Sequence, residues 1–184
     1  DEELSEDGVR RWIHDLEKGN SPRSIGRHLD AIRAYFQFKG LTLNIGSPFF
    51  VRKLPRWLSQ TEWARLLDVT IRPLYDPKAS EQARYRALFN RAALLVYGGS
   101  GLRLTEGITL RRDKVDPRGF LTVIAKGGVE QVRIAPDEVI AAVQDWVVAY
   151  TEWERQDSPW VFPGKTPDRH IDRGSMQNLL MKMV

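Results

Sequence analysis

Apolar residues recur three or four positions apart over most of the chain, which is the spacing of one face of an α-helix. The first such stripe begins after Ser5, a preferred N-cap residue, and stops at Gly19. The second begins at Ser21 and Pro22, with serine at the N-cap and proline in the first turn, and stops at Gly40. Two short amphipathic helices are predicted, with the faces Val9, Trp12, Ile13, Leu16 and Ile25, Leu29, Ile32, Phe36.

The helical pattern breaks between residues 44 and 55. This segment contains two prolines and a glycine, which disfavour a helix. We therefore predict a domain boundary near residues 52–58, with one domain over residues 1–55 and a second over residues 56–184.

Helical spacing resumes beyond this boundary. Ser59 followed by Glu62 has the form of a capping box, in which the serine and the glutamate three residues later satisfy each other's backbone amides. Residues 71–79 contain two prolines and are predicted as a loop. A long apolar helix is predicted over residues 80–97.

The second half of the chain changes to the period of a strand. Residues 120–125 are β-branched and apolar, and residues 129–134 alternate along a return strand. Lys126, Gly127 and Gly128 form the turn between them. Further helices are predicted after Pro136 and from Ser175. The predicted fold class is mainly α with a small antiparallel β-hairpin or sheet (α+β). The two faces of the return strand are Glu130, Val132, Ile134 and Val129, Gln131, Arg133.

Charge and composition limit the kinds of partner and site that the protein can have. The 28 basic residues exceed the 24 acidic ones, the net charge is +4, and 20 of the basic residues are arginine, which favours phosphate-type partners. A basic protein with a merely solvated surface explains this balance equally well. Cysteine is absent, which excludes disulfides and thiolate metal sites. The three histidines lie far apart, and no apolar run approaches the roughly 18 residues of a membrane span. We expect a cytoplasmic protein without metal, cofactor or membrane partner.

The stretch from Gly98 to Glu106 carries the candidate chemistry. Three glycines in four residues permit a sharp turn with positive φ, and Arg103 then lies in the first turn of a following helix. Its guanidinium and the free helix amides suit an anion, and Glu106 lies within helical reach to orient the guanidinium. From spacing alone, an ordinary glycine-rich turn with a surface ion pair explains the stretch equally well.

The order of these features resembles the tyrosine recombinases, the phage integrase and Xer-like family of site-specific DNA recombinases. The most specific parts are residues 101–110, residues 125–136 and the extended piece at residues 160–163. Residues 27–38 resemble the last helix of the family's core-binding domain, and residues 59–67 the start of its catalytic domain. The resemblance implies that residues 1–55 are a core-binding, DNA-binding domain and residues 56–184 the first part of a catalytic domain.

The resemblance also implies roles for three residues. Arg103 matches the first catalytic arginine, Lys126 the lysine of the hairpin between the second and third strands, and Glu106 an acidic position that supports the arginine. In the family a tyrosine attacks a DNA phosphodiester to give a 3′-phosphotyrosyl link and a free 5′-hydroxyl, without ATP or a required metal. Arg103 would stabilise the charge on the phosphate, and Lys126 would protonate the leaving oxygen. A plain turn lysine is the alternative for Lys126.

Double-stranded DNA is the expected partner, bound by a homotetramer of the full-length protein as in the family. Candidate phosphate contacts are Arg23 and Arg27 on the second helix, and Arg52, Lys53 and Arg56 in the boundary segment. For the helix taken alone, a solvated basic face is the explanation that the sequence favours.

Two family motifs have no match at the expected place. The family has a His-x-x-Arg helix and a nucleophilic tyrosine further downstream, whereas His170–Arg173 has those letters before the last predicted helix, and all five tyrosines precede the expected position. We read the tyrosines as structural or surface residues and expect the chain to lack the nucleophile and to be inactive alone. Three hypotheses stay open: part of an active recombinase, a DNA-binding regulator that naturally lacks the nucleophile, and an unrelated helical adaptor.

Overall fold

The structure is a computed structural model that describes residues 5–48, 58–154 and 156–183. The chain divides into two compact units, Asp1–Trp57 and Leu58–Val184. The predicted DNA contacts Arg52, Lys53 and Arg56 lie outside the described residues.

The first unit contains two helices, α1 (Glu6–Glu17) and α2 (Pro22–Phe38). Both begin as the sequence predicts: the Ser5 side chain accepts a hydrogen bond from the Gly8 amide, and Ser21 accepts one from the Ser24 amide. Their facing stripes form a small core together with Ile45 from the segment after α2; its buried members are Val9, Ile25, Leu29, Phe36 and Ile45.

The segment after α2 is tied back to this helix pair by polar contacts. Arg33 donates from Nη2 to the Ile45 carbonyl oxygen at 2.6 Å and from Nη1 to Ser47 Oγ at 3.0 Å. The Asn44 amide donates to the Glu6 carboxylate at 2.6 Å. Arg33 therefore stabilises the packing of the segment after α2 against the two helices of the first unit.

The second unit contains five α-helices within the described residues. α4 (Glu81–Gly99) is central to it, packing against α3 (Gln60–Tyr75) and α6 (Asp137–Glu154). The short α5 (Leu104–Ile108) contacts α7 (Arg173–Met183).

The prediction of a loop over residues 71–79 was wrong for its first half, because α3 continues to Tyr75 through Pro73. A proline disturbs only the turn that precedes it, and here it removes one hydrogen bond at the exposed end of the helix. The prediction that the last helix opens at Ser175 was also wrong by two residues. α7 begins at Arg173, and the Asp172 carboxylate accepts the hydrogen bond from the Ser175 amide at 2.9 Å.

Three antiparallel strands form one sheet in the order β1 (Val115–Asp116), β2 (Phe120–Ile124), β3 (Glu130–Ile134). The predicted hairpin is β2–β3, and the mainly α fold with a small antiparallel sheet is confirmed. β1 was not predicted, because two residues carry no periodicity. Leu121 pairs with Arg133 and Phe120 with Ile134, so alternate residues of the hairpin lie on opposite faces of the sheet. Leu121 and Val123 face the core, whereas Val132 and Ile134 are exposed.

Aromatic rings join α4, α6 and the segment after α6. The Trp146 ring meets Phe89 edge-to-face with ring centres 4.9 Å apart, and its Nε1 donates to the Val161 carbonyl oxygen at 2.7 Å. Val161 and Phe162 are fully buried. The extended piece predicted at residues 160–163 therefore closes the core next to α5. Among the described helices, none combines the length and apolarity that a bilayer crossing requires.

Candidate active site

The glycines before Arg103 serve two different purposes. Gly101 has φ +63°, so it makes the turn that the sequence predicts. Gly98 and Gly99 instead lie in the last turn of α4 and do not take positive φ. They allow close packing: a Cβ on Gly98 would collide with the Trp63 ring, and one on Gly99 would lie 2.9 Å from Val139 Cγ2.

Arg103 is the N-cap residue of α5, with φ −67° and ψ 153°, and does not lie in the first turn as predicted. Glu106 is the third helical residue and accepts from the Arg103 backbone amide at 2.9 Å, as in one half of a capping box. The same carboxylate accepts from Arg103 Nη1 at 2.8 Å. Glu106 thus holds both the backbone and the guanidinium of Arg103. Because α5 has only five residues, the anion-binding capacity of the site depends on this side chain.

The environments of the two partners are opposite. The Glu106 side chain is 2% exposed, whereas that of Arg103 is 68% exposed. Burial alone would raise the pKa of the Glu106 carboxyl. The two hydrogen bonds from Arg103, with the charges of Arg103 and Arg133, outweigh burial and hold that pKa below its usual range. Arg103 donates to Glu106 from Nη1, and the rest of its largely exposed guanidinium is available to bind an anion.

Tyr97 contacts the short helix α5 that follows Arg103 and carries Glu106. Its hydroxyl donates to the Leu104 carbonyl oxygen at 3.2 Å, and its ring lies against Gly107, where a Cβ would come about 2.5 Å from the ring's Cζ. Burial raises the pKa of the Tyr97 phenol. Tyr97 is therefore a structural tyrosine that fixes the start of α5.

Lys126 lies at the exposed tip of the β2–β3 hairpin. Gly127 and Gly128 take φ +92° and +79°, and the turn is closed by hydrogen bonds between Ala125 and Val129 and between Gly128 and Ala125. Within the described residues the Lys126 side chain forms no hydrogen bond or ion pair, so the structure does not bring it into contact with Arg103 or Glu106.

Sequence reasoning missed Arg133 as a site residue. It lies on β3 opposite Leu121, on the face that points to the core, and its charge contributes to the lowered pKa of the Glu106 carboxyl. The strand alternation already separates Arg133 from the exposed Val132 and Ile134. The register that brings it to the level of Leu121 is not visible in the sequence.

Arg23 and Arg27 are exposed on α2, one turn apart, and form no ion pair among the described residues. They belong to the first unit.

Within the described residues, His170 and Arg173 form no hydrogen bond or ion pair with Arg103 or Glu106. His170 Nδ1 lies 2.7 Å from the Ile171 carbonyl oxygen, and its ring meets Trp160 edge-on. Arg173 is the exposed first residue of α7. Across the described part of the chain, no group of three or more potential His, Cys, Asp or Glu ligands forms a metal site.

No family model matches the chain. Curated relatives do. The tyrosine recombinase XerC of Chlorobaculum parvum is 31% identical over 148 residues, which cover 72% of this chain and 44% of the relative. The tyrosine recombinase XerA of Pyrococcus furiosus is 31% identical over 150 residues, 79% of this chain and 46% of the relative. The chain spans about half the length of the curated relatives it matches.

Solved structures share the fold. A XerH site-specific recombinase bound to palindromic difH substrate, in a post-cleavage complex, aligns with a TM-score of 0.69 at 13% identity, covering 97% of this chain and 52% of that one. A lambda integrase tetramer bound to a Holliday junction aligns with a TM-score of 0.61 at 14% identity over the same shares of the two chains.

Proposed function

Because the chain belongs to the tyrosine recombinase family, we propose that it forms part of a site-specific DNA recombinase. In this proposal the native protein cleaves and rejoins DNA through a 3′-phosphotyrosyl intermediate. The first unit acts as a core-binding domain on duplex DNA, and the second as the first part of the catalytic domain.

The observation that carries the proposal is the fixed guanidinium of Arg103. Attack on a phosphodiester increases negative charge on the non-bridging oxygens, and a donor that is already oriented stabilises this charge without reorganisation. The buried Glu106 carboxylate supplies the orientation, through contacts of 2.8 and 2.9 Å. Loss of one such donor typically lowers a rate by about 10²–10³-fold.

Lys126 is proposed as the general acid. The leaving 5′-oxygen must gain a proton, and a lysine on an exposed hairpin tip can deliver one once DNA lies against the site. Proton transfer of this kind contributes about 10²–10⁴-fold. The absence of a contact between Lys126 and Arg103 fits a residue whose position depends on the substrate.

The partner in this proposal is duplex DNA. The family relationship, the excess of basic residues and the exposed pair Arg23 and Arg27 support it. Two similar folds, XerH and lambda integrase, were solved on DNA, the latter as a tetramer. We extend both properties, DNA binding and assembly into a tetramer on DNA, to the native protein.

The direct test is to trap a covalent protein–DNA adduct. The native protein is incubated with a nicked duplex that carries its recombination junction and is then denatured in detergent. An adduct whose link maps to a DNA 3′-phosphate supports the proposal. Tight binding to the junction without any adduct would contradict catalysis.

That second result would favour a DNA-binding regulator of the same ancestry. The Tyr97 and Tyr85 hydroxyls donate to Leu104 and Glu154, so both tyrosines have structural roles under either hypothesis. An adaptor for proteins would differ from both, because its binding to DNA would not weaken steeply with salt.

A further inference from the structure

We propose that Arg133 is a positioning residue of the Arg103 site: its guanidinium supplies a second positive charge to the buried Glu106 carboxylate and so holds Arg103 in place while Arg103 binds an anion. The inference rests on the proposed function for its last step only. The first step, the effect of the Arg133 charge on Glu106, is tested independently of that function.

The sheet register places Arg133 on the correct face. Arg133 pairs with Leu121 of β2, and Leu121 is fully buried. β2 packs against α5, which carries Glu106. The neighbours of Arg133 on β3, Val132 and Ile134, point to the opposite, exposed face.

Arg133 is also held in place within its strand. Its Nη2 donates to Gln131 Oε1 at 2.8 Å, and Gln131 lies two positions away on the same face of the strand. The residue is half-buried, unlike the exposed Arg118 at the β1–β2 turn, whose guanidinium pairs with Asp116. A half-buried guanidinium loses less orientational freedom than a free surface arginine when it acts on a neighbour.

The charges at the site explain why a second cation is useful. A buried carboxylate needs a positive partner, because burial disfavours its ionised form. Arg103 provides this partner in the free protein, but a phosphate that binds the Arg103 guanidinium draws part of its charge away from Glu106. The charge of Arg133, which lies on the sheet side of the site, stays with Glu106. Glu106 therefore remains ionised and keeps its two hydrogen bonds to Arg103.

The first measurement is a pH titration of Glu106 in this chain, in which carbon NMR monitors its side-chain carboxyl. We expect Arg133→Gln to raise the pKa of Glu106, and Arg133→Lys to return it most of the way to the wild-type value. Arg118→Gln removes the same charge from an exposed turn of the same sheet and should leave the titration unchanged. An unchanged Glu106 titration in Arg133→Gln would overturn the proposal, whatever happens to stability.

The second measurement is a double-mutant cycle on DNA cleavage by the native protein. We expect Arg133→Gln to slow cleavage about 10-fold in the wild-type background and to have no further effect in Glu106→Gln, because Arg133 acts through Glu106. Equal slowing in both backgrounds would contradict the proposal and would indicate a direct contact between Arg133 and the DNA.

The two measurements fail separately. If the native protein forms no covalent adduct, the proposed function fails, but the titration of Glu106 still tests the link to Arg133. If the titration is unchanged while cleavage is intact, only the present inference fails.

Discussion

Glu106 accepts two hydrogen bonds from Arg103 although its own side chain is almost fully buried. The spacing of three residues allowed the sequence to predict this pair, because residues three apart on a helix are neighbours. The sequence could not show that the carboxylate is buried and the guanidinium exposed. That difference decides which residue holds the other, and Glu106 is the fixed member.

Replacing Glu106 by glutamine should destabilise the fold by about 1–3 kcal/mol at pH 7, because Arg103 loses a charged acceptor in a buried position. The folded-state pKa of Glu106 is depressed below 4.5, so its contribution is present above pH 4.5 and is lost as the pH falls through the folded-state pKa. Urea unfolding of wild type and Glu106→Gln, at pH 7 and at a pH below the folded-state pKa of Glu106, measures this contribution to stability.

The difference in unfolding free energy between wild type and Glu106→Gln should shrink at the lower pH. A difference that stays constant with pH would show that the carboxylate charge does not contribute. Glu152→Gln, on an exposed position of α6, is the matched control and should change stability by less than about 0.5 kcal/mol at either pH.

Gly107→Ala should destabilise the fold by about 1–3 kcal/mol, since the new Cβ would force the Tyr97 ring away and weaken its hydrogen bond to Leu104. Gly26→Ala is the same change in α2, where a Cβ meets open space, and should stabilise by about 0.5–1 kcal/mol. Thermal unfolding of both variants checks the pair. Equal effects at the two sites would mean that the contact with Tyr97 does not matter.

Elements whose signals are local were predictable from the sequence. The serine caps of α1, α2 and α3 and the hairpin turn at Lys126 depend on residues within four positions of one another. Pro73 misled the prediction because its effect depends on where in the helix it lies. β1, the packing of Gly98 against Trp63 and the position of Arg133 depend on partners distant in sequence, so no local pattern reveals them.

Lys126→Ala tests the role of the hairpin element. Because the Lys126 side chain is exposed and forms no hydrogen bond or ion pair within the described residues, the free energy of unfolding should change by less than about 0.5 kcal/mol. DNA cleavage by the native protein should nevertheless fall about 10²–10⁴-fold. Lys78→Ala, in the exposed loop between α3 and α4, is the control and should affect neither quantity. Unimpaired cleavage in Lys126→Ala would make Lys126 an ordinary turn lysine.

At the scale of the whole molecule, two cores of different size stabilise two units. The core of α1 and α2 is small, whereas α4, α6, the sheet and α7 share a much larger one. Small cores give marginal stability. The proposed DNA-binding unit should therefore unfold more readily than the unit that carries Arg103.

Leu29→Ala should expose this difference, because Leu29 is fully buried in the smaller core and truncation there costs about 2–5 kcal/mol. Hydrogen exchange should show loss of amide protection in α1 and α2, with α4 and α6 unchanged. Equal loss of protection in all four helices would mean that the units unfold as one.

The central claim is that Arg103 is oriented by Glu106 to stabilise a phosphodiester during cleavage. The most direct measurement is the single-turnover rate of covalent adduct formation by the native protein, compared between wild type, Arg103→Ala and the exposed control Arg118→Ala. We expect a rate about 10²–10³-fold lower for Arg103→Ala, with DNA affinity nearly unchanged and the control at the wild-type rate. Adduct formation by Arg103→Ala at the wild-type rate would contradict the claim.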